Sequence, residues 1–270
     1  MFEDGDAVRV AMVFQSLGRE EANEAWRPLL EWVSATPDDY VVEQPLGVLA
    51  APARRMWDLE FLSANAPGLA VPDDRPDATP GHFSWAGDQG QVGHYVHGYR
   101  SAWLPEALLE EDRREHLADA LHAAAREWTV SLHFNKGLAS APEAEIEAAR
   151  DTAMNPDVLD AFALAIVAGE GPAAFPGMPG NPDLDAARRE ARQVGRAMDE
   201  LRKVAPDTGS YWSESDYFED DWQRSFWGGN HERLAAAKRR YDPDGLFTVH
   251  HGVGSEQWSA DGFERVVKEG

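Results

Sequence analysis

The chain has 270 residues and no cysteine, with 48 acidic side chains against 25 basic ones and a formal charge of −23. Disulfides, thiolate metal sites, cysteine nucleophiles and sulfur-linked flavin are therefore excluded within it. Nucleic acid and anionic membranes, which need a basic footprint, are poor partners. With 43% hydrophobic residues it can build a core. No apolar run approaches the roughly 18 residues of a membrane span, and the acidic Met1–Asp6 is unlike a signal peptide, so a cytoplasmic location is expected. Lysine occurs only at 136, 203, 238 and 268. An acidic, lysine-poor surface suits a halophilic cytoplasm; a GC-rich genome favouring Arg and Ala gives the same composition.

In chain order, Val8, Val10, Met12 and Phe14 alternate with other residues and predict a strand. A helix follows over Arg19–Ser34, with Ala22, Ala25, Trp26, Leu29, Leu30 and Val33 as its apolar face and Pro28 as a kink. A short strand is expected at Tyr40–Val42, a helical turn from Arg54 to Asp58, and a loop from Asp73 to Pro80. Val92–Arg100 reads as a strand, with His94, Val96 and Arg100 on one face and Tyr95, His97 and Tyr99 on the other. Glu110–Trp128 reads as a helix with Leu117, Ala120, Leu121 and Ala124 buried. In a strand at Thr129–Asn135, Val130, Leu132 and Phe134 oppose Ser131, His133 and Asn135. Ser140 and Glu143 form a capping-box pattern for a helix to Arg150. Ala161–Ala168 is a strand, followed by a Gly/Pro loop to Gly180. The strongest helix is Asp183–Val204: Asn181 caps it, Pro182 suits its first position, and Leu184, Ala187, Ala191, Val194, Met198 and Leu201 form one stripe. A last helix spans Asn230–Tyr241. Strands with one polar side, interspersed with helices, give an α+β fold: an antiparallel sheet with helices on one face.

Chemistry concentrates between Gly209 and Trp258. Ten aromatics there, from Tyr211 to Trp258, alternate with Glu214, Asp216, Asn230, His231, His250, His251 and Glu256. Elsewhere, Gly87, Gly90 and Gly93 lead into a strand rather than from a strand into a helix, unlike a dinucleotide cradle. No P-loop or Gly-x-Ser-x-Gly elbow occurs, and His250, His251 and Glu256 match no standard metal-ligand spacing.

Three pieces of this tail, Tyr211–Asp216, Trp227–Leu234 and Lys238–Phe247, resemble the carboxyl-terminal segment of berberine bridge enzyme-like FAD-linked oxidases. Weaker likeness extends over Leu132–Gly137 and Asp151–Ile166. The resemblance implies the carboxyl-terminal half of such an enzyme: a substrate domain (1–208) and a berberine-like tail (209–270) returning to an FAD-binding domain absent here. FAD would be held mainly by a partner polypeptide or a missing amino-terminal half, so the chain alone would be inactive. Trp222, Phe226 and Trp227 would then be incompletely covered.

The family's base is often a tyrosine two residues before the motif aspartate. Glu214 stands there, with Asp216 as the aspartate, and a carboxylate serves as base if burial raises its pKa. With Tyr211 it makes the candidate catalytic pair, although strand alternation would put the two on opposite faces. Asn230 matches the asparagine beside the flavin, and His250 and His251 stand where the tail returns to the cofactor; these are the candidate cofactor residues. Arg233 is expected as an ion-pair partner. His133, Asn135 and Tyr99 are candidates for binding a small-molecule substrate, oxidised at an alcohol or amine carbon. Two rivals remain: a non-catalytic binding module or truncated fragment, and a cofactor-free hydrolase or isomerase using His133 with Glu214.

Overall fold

In the computed structural model, residues 7–134, 138, 140–177, 181–259 and 261–266 are described. The chain divides into a unit over Val10–His94 and a larger one from Tyr95 onward. The tail from residue 209 lies in the same compact unit as the sheet. No described helix is long and apolar enough to cross a membrane.

The smaller unit holds helix α1 (Arg19–Ala35), helix α2 (Leu59–Asn65) and a hairpin of β1 (Ala70–Pro72) and β2 (Phe83–Trp85). Local chemistry shapes α1. Gly18 N–H donates to Glu21 Oε2 (2.7 Å) at its start, and Arg27 bridges Glu24 and Glu31 on its surface. Pro28 sits inside it, yet only Ala22 of the expected apolar face is buried. Asp58 caps α2 by accepting from Phe61 N–H at 3.0 Å. In the hairpin, Ala70 faces Trp85 and Pro72 faces Phe83. Val8–Phe14 and Tyr40–Val42 are not strands. Alternation supplies a face, but a strand also needs a neighbour for its backbone groups, and these segments join no sheet.

In the larger unit, β3 (His94–Pro105) is followed by α3 (Arg114–Glu127), β4 (Ser131–His133), α4 (Glu143–Arg150), α5 (Asp157–Asp160), β5 (Ala161–Ala173) and α6 (Leu184–Arg202). The sheet order is β3-β5-β4, with β4 antiparallel to β5 and Ser131 opposite Ile166, His133 opposite Leu164. One face meets α3 and α6. Ala102, Leu104, Val130, Ala165, Val167, Val194, Met198 and Leu201 fill this core. Small residues on the facing helices, Ala120 and Ala124 against Ala187 and Ala197, are buried and allow close approach. The other face carries Trp103, Leu164 and Ile166, flanked by Tyr99, Val158, Ala168 and Tyr211.

Two helix starts differ from the sequence reading. Asp183, not Asn181, caps α6, accepting from Asp185 N–H (3.1 Å) and Ala186 N–H (2.9 Å); its charge also suits the helix dipole. Ser140 forms no capping box: it has φ +64°, and Pro142 takes the cap position with no side-chain bond.

The expected face assignment of β3 also fails in part. His97 Nε2 lies 2.9 Å from Glu190 of α6, while a Cβ on Gly98 would touch Val194 of the same helix. Two consecutive residues thus meet α6, a break in the strand's alternation. Tyr95 and His97 therefore turn to the helix side and Tyr99 to the other. They fit only because glycines lie beneath them: a Cβ on Gly169 would come within 2.6 Å of His97, and one on Gly171 within 2.2 Å of Tyr95.

Beyond α6 the chain returns along the outer edge of β3. Trp103 N–H donates to Gly209 O (3.0 Å) and Tyr211 N–H to Ser101 Oγ (3.0 Å). Beneath lie three buried serines: Ser210 Oγ donates to Ser101 O (2.8 Å), and Ser225 Oγ to Ser210 Oγ (3.1 Å). Arg202, at the end of α6, donates to Thr208 O, Ser101 O and Ser210 Oγ. Helices α7 (Trp222–Trp227) and α8 (His231–Tyr241) follow.

Candidate active site

The site begins with a turn where alternation predicted a strand. Glu214 N–H donates to Tyr211 O at 2.9 Å, and Ser215 Oγ to Trp212 O at 3.0 Å. The turn brings residues 211 and 214 to one side, whereas a strand would have separated them. Tyr211 packs on Trp103, ring centroids 6.1 Å apart. The Glu214 carboxylate lies close enough to the Tyr99 hydroxyl to act on its ionisation through charge and hydrogen bonding. Trp212 turns away and stacks on Trp227 (6.0 Å).

Tyr99, Trp103, Tyr211 and Glu214 thus meet on the sheet face opposite α3 and α6. Burial, then the negative charge of Glu214, then that of Glu170, push the Tyr99 hydroxyl up to about 12. At neutral pH it is a phenol, a donor to Glu214. Trp103 was missed because the predicted strand stopped at Arg100; the period of two continued from Tyr99 through Ser101 would have found it. Its buried indole N–H has no acceptor among the described residues.

His133 shares this face through its register with Leu164, but it is exposed, with Nε2 3.0 Å from Ser131 Oγ. Asn135 lies outside the described residues.

Asn230, His250 and His251 belong to a second cluster. Asn230 Nδ2 donates to Thr152 O (2.9 Å) and Met154 O (2.8 Å), so both amide protons tie the tail to the segment before α5. Arg233 pairs with Asp151 nearby, as expected of it. Tyr217, His250, His251 and Trp222 form a column of rings, with successive centroids 4.0, 3.8 and 5.4 Å apart. His250 Nε2 meets Tyr217 O at 2.6 Å. Burial first, and then the neighbouring His250, lower the His251 pKa, while Asp216 opposes the shift.

The expectation of incomplete cover fails for Trp222 and Phe226 and holds for Trp227. Trp222 and Phe226 are 7% and 4% exposed, and Trp227 is half-buried. The exposed aromatics described in the tail are Trp212, Tyr217, Phe218, Tyr241, Phe247 and Phe263. The Lys238–Phe247 piece has a structural logic: Asp242 pairs with Lys238 and accepts from Leu246 N–H (2.8 Å) and Phe247 N–H (3.1 Å).

Comparison with known proteins places this geometry. The family model "Berberine and berberine like" matches residues 208–254. An FAD-linked oxidoreductase from Aspergillus flavipes is 41% identical over 76 residues, covering 28% of this chain and 12% of that protein. A VAO-type flavoprotein oxidase from Thermothelomyces thermophilus is 35% identical over 94 residues, covering 33% of this chain and 16% of that protein. A VAO-type flavoprotein from Myceliophthora thermophila, known from its crystal structure, matches 90% of this chain and 36% of its own, with a TM-score of 0.57 and 20% identity. The mixed helix and antiparallel-sheet fold is thus shared with VAO-type flavoproteins, and the tail carries the stronger sequence likeness. These matches span between an eighth and a sixth of the two curated relatives' length, and just over a third of the solved structure's.

Proposed function

From a tail that matches the berberine-like family and a fold shared with VAO-type flavoproteins, we propose that this chain is the substrate-binding half of an FAD-linked oxidoreductase. It acts on an alcohol or amine carbon of a small molecule, with FAD held mainly by a polypeptide outside this chain. The observation that carries the reading is the meeting of Tyr99 and Glu214 on the sheet face opposite α3 and α6, next to Trp103 and Tyr211.

The residues fit the reacting side of a flavin site better than its phosphate side. The sheet face opposite α3 and α6 offers an aromatic wall, a carboxylate and a buried indole N–H wanting an acceptor. The glycines at 87, 90 and 93 open no helix: a short 3-10 turn at Ala86–Gln91 runs into β3, so they make no phosphate cradle of the helix-opening kind.

Bound FAD would supply the hydride acceptor. The chain supplies the base and the wall. Glu214 takes the proton of the substrate hydroxyl or amine as the carbon gives up hydride. The Tyr99 hydroxyl stays protonated at neutral pH and donates a hydrogen bond to the Glu214 carboxylate, fixing its direction. Trp103, Tyr211 and Ile166 line the wall with apolar surface that limits water.

Co-expression with an FAD-domain polypeptide from an adjacent reading frame tests this. A yellow complex that oxidises alcohols or amines is expected, and Glu214→Gln should slow it roughly 10²- to 10⁴-fold, the worth of a positioned base. A colourless, stable lone chain that still binds small molecules would favour the binding-module reading.

A further inference from the structure

Tyr99 is followed on β3 by Arg100, and Glu214 on the turn is followed, two residues on, by Asp216. The second members pair as the first do. Arg100 Nη2 lies 2.9 Å from Asp216 Oδ2, and the Asp216 side chain is only 16% exposed. Consecutive strand residues point to opposite faces, so the two contacts grip the turn from either side of β3. Asp216 also fixes the outgoing backbone, accepting from Phe218 N–H at 2.9 Å. Arg100 is itself constrained: it lines a cavity of about 230 Å³ together with Arg202 and Arg224. Arg202 is occupied by backbone and serine oxygens and Arg224 by Asp221 and Asp207 O. Asp199 and Glu219 line the same cavity, and the carboxylate that Arg100 pairs with is Asp216.

We infer that the Arg100–Asp216 ion pair is a positioning device: it sets the 211–216 turn against β3 and thereby holds the Glu214 carboxylate on the Tyr99 hydroxyl. Neither residue need touch substrate. The inference rests on the reading of Glu214 as the base, but its geometry can be tested without flavin or turnover.

The readout is the ionisation of Tyr99 in the full chain labelled with ¹³Cζ-tyrosine, its resonance assigned by loss in Tyr99→Phe. Glu214→Gln should bring the Tyr99 midpoint down from about 12 toward the ordinary value of about 10. Arg100→Gln separates the explanations by sign. Loss of a nearby positive charge, acting through the field alone, would raise the tyrosine midpoint. Loss of the positioning contact lets Glu214 leave and water reach Tyr99, so the midpoint falls; Arg100→Lys should restore part of the shift. The inference is overturned if Arg100→Gln leaves the midpoint unmoved or raises it while Glu214→Gln lowers it. If Glu214→Gln has no effect, the Tyr99–Glu214 pairing is itself wrong, and nothing remains to be positioned. Should Arg100→Gln not fold, Asp216→Asn gives a second measurement, because asparagine can still accept from Phe218 N–H. Hydrogen exchange at the Glu214 amide, bonded to Tyr211 O, should then speed up at least tenfold, and unchanged protection would refute the role.

Discussion

Helix α1 and helix α6 are nearly equal in length, yet they are stabilised by different things. Alpha-one buries one residue, Ala22, and keeps its order through a cap, an intrahelical arginine fork and backbone bonds. Alpha-six buries five, among them Val194, Met198 and Leu201, against a sheet. The contrast extends to whole units: among described apolar residues between Val10 and His94, only Ala22 and Leu62 are buried, while the remaining buried ones lie from Ala102 onward. Regular secondary structure is therefore no proxy for core. A helix of α1's length is marginal alone, and exposed ion pairs add little.

The comparison can be broken most forcefully at Leu201, which is fully buried. Leu201→Ala should cost about 2–5 kcal/mol in denaturant unfolding, the usual range for such cavities. A loss under 1 kcal/mol would mean that the larger unit is not the stabilising one. Ser210→Ala comes next. It strips a buried hydroxyl from Ser101 O and leaves Arg202 and Ser225 each short of a partner, which should cost about 1–3 kcal/mol.

Titration sharpens the contrast further. The folded Tyr99 pKa lies above its unfolded value, so its contribution is whole below about pH 10 and is lost as pH rises to about 12. Its first cause is burial, with Glu214 second. His251 runs the other way. Its folded pKa is lowered, by burial first, so its contribution is present above about pH 6.5 and declines as pH falls through the folded pKa. Thermal scans should show melting temperature falling at both ends, and Tyr99→Phe should remove part of the alkaline loss only. The smallest effect is expected at Leu29, already 42% exposed: Leu29→Ala should change global stability by about 0.5 kcal/mol or less.

What could be read beforehand follows the same division. Alpha-six was legible because a buried stripe writes its period into the sequence, and β4 because a half-covered strand alternates. Val8–Phe14 alternates too, but alternation does not report whether a neighbouring strand exists. The site was half legible. Motif likeness picked out Tyr211, Glu214 and Asp216 and strand alternation admitted Tyr99, yet the turn that brings 211 and 214 to one side rests on a local hydrogen bond invisible to periodicity. The break in alternation at His97–Gly98, which sends Tyr95 and Tyr99 to different faces, left no mark beyond a glycine. The serine clasp was illegible: Ser101, Ser210 and Ser225 are small, common and far apart in sequence, and only the fold joins them.

The bond from Trp103 N–H to Gly209 O has one more implication, for anyone shortening the gene. A product ending near residue 208 would look like a tidy removal of an appendage. It would instead uncover the edge of β3 around Ser101 and Trp103, leaving donors and acceptors facing water, a surface on which copies add to one another. Such a product should precipitate or form oligomers on expression, and a synthetic peptide spanning 209–227 supplied during refolding should keep it in solution.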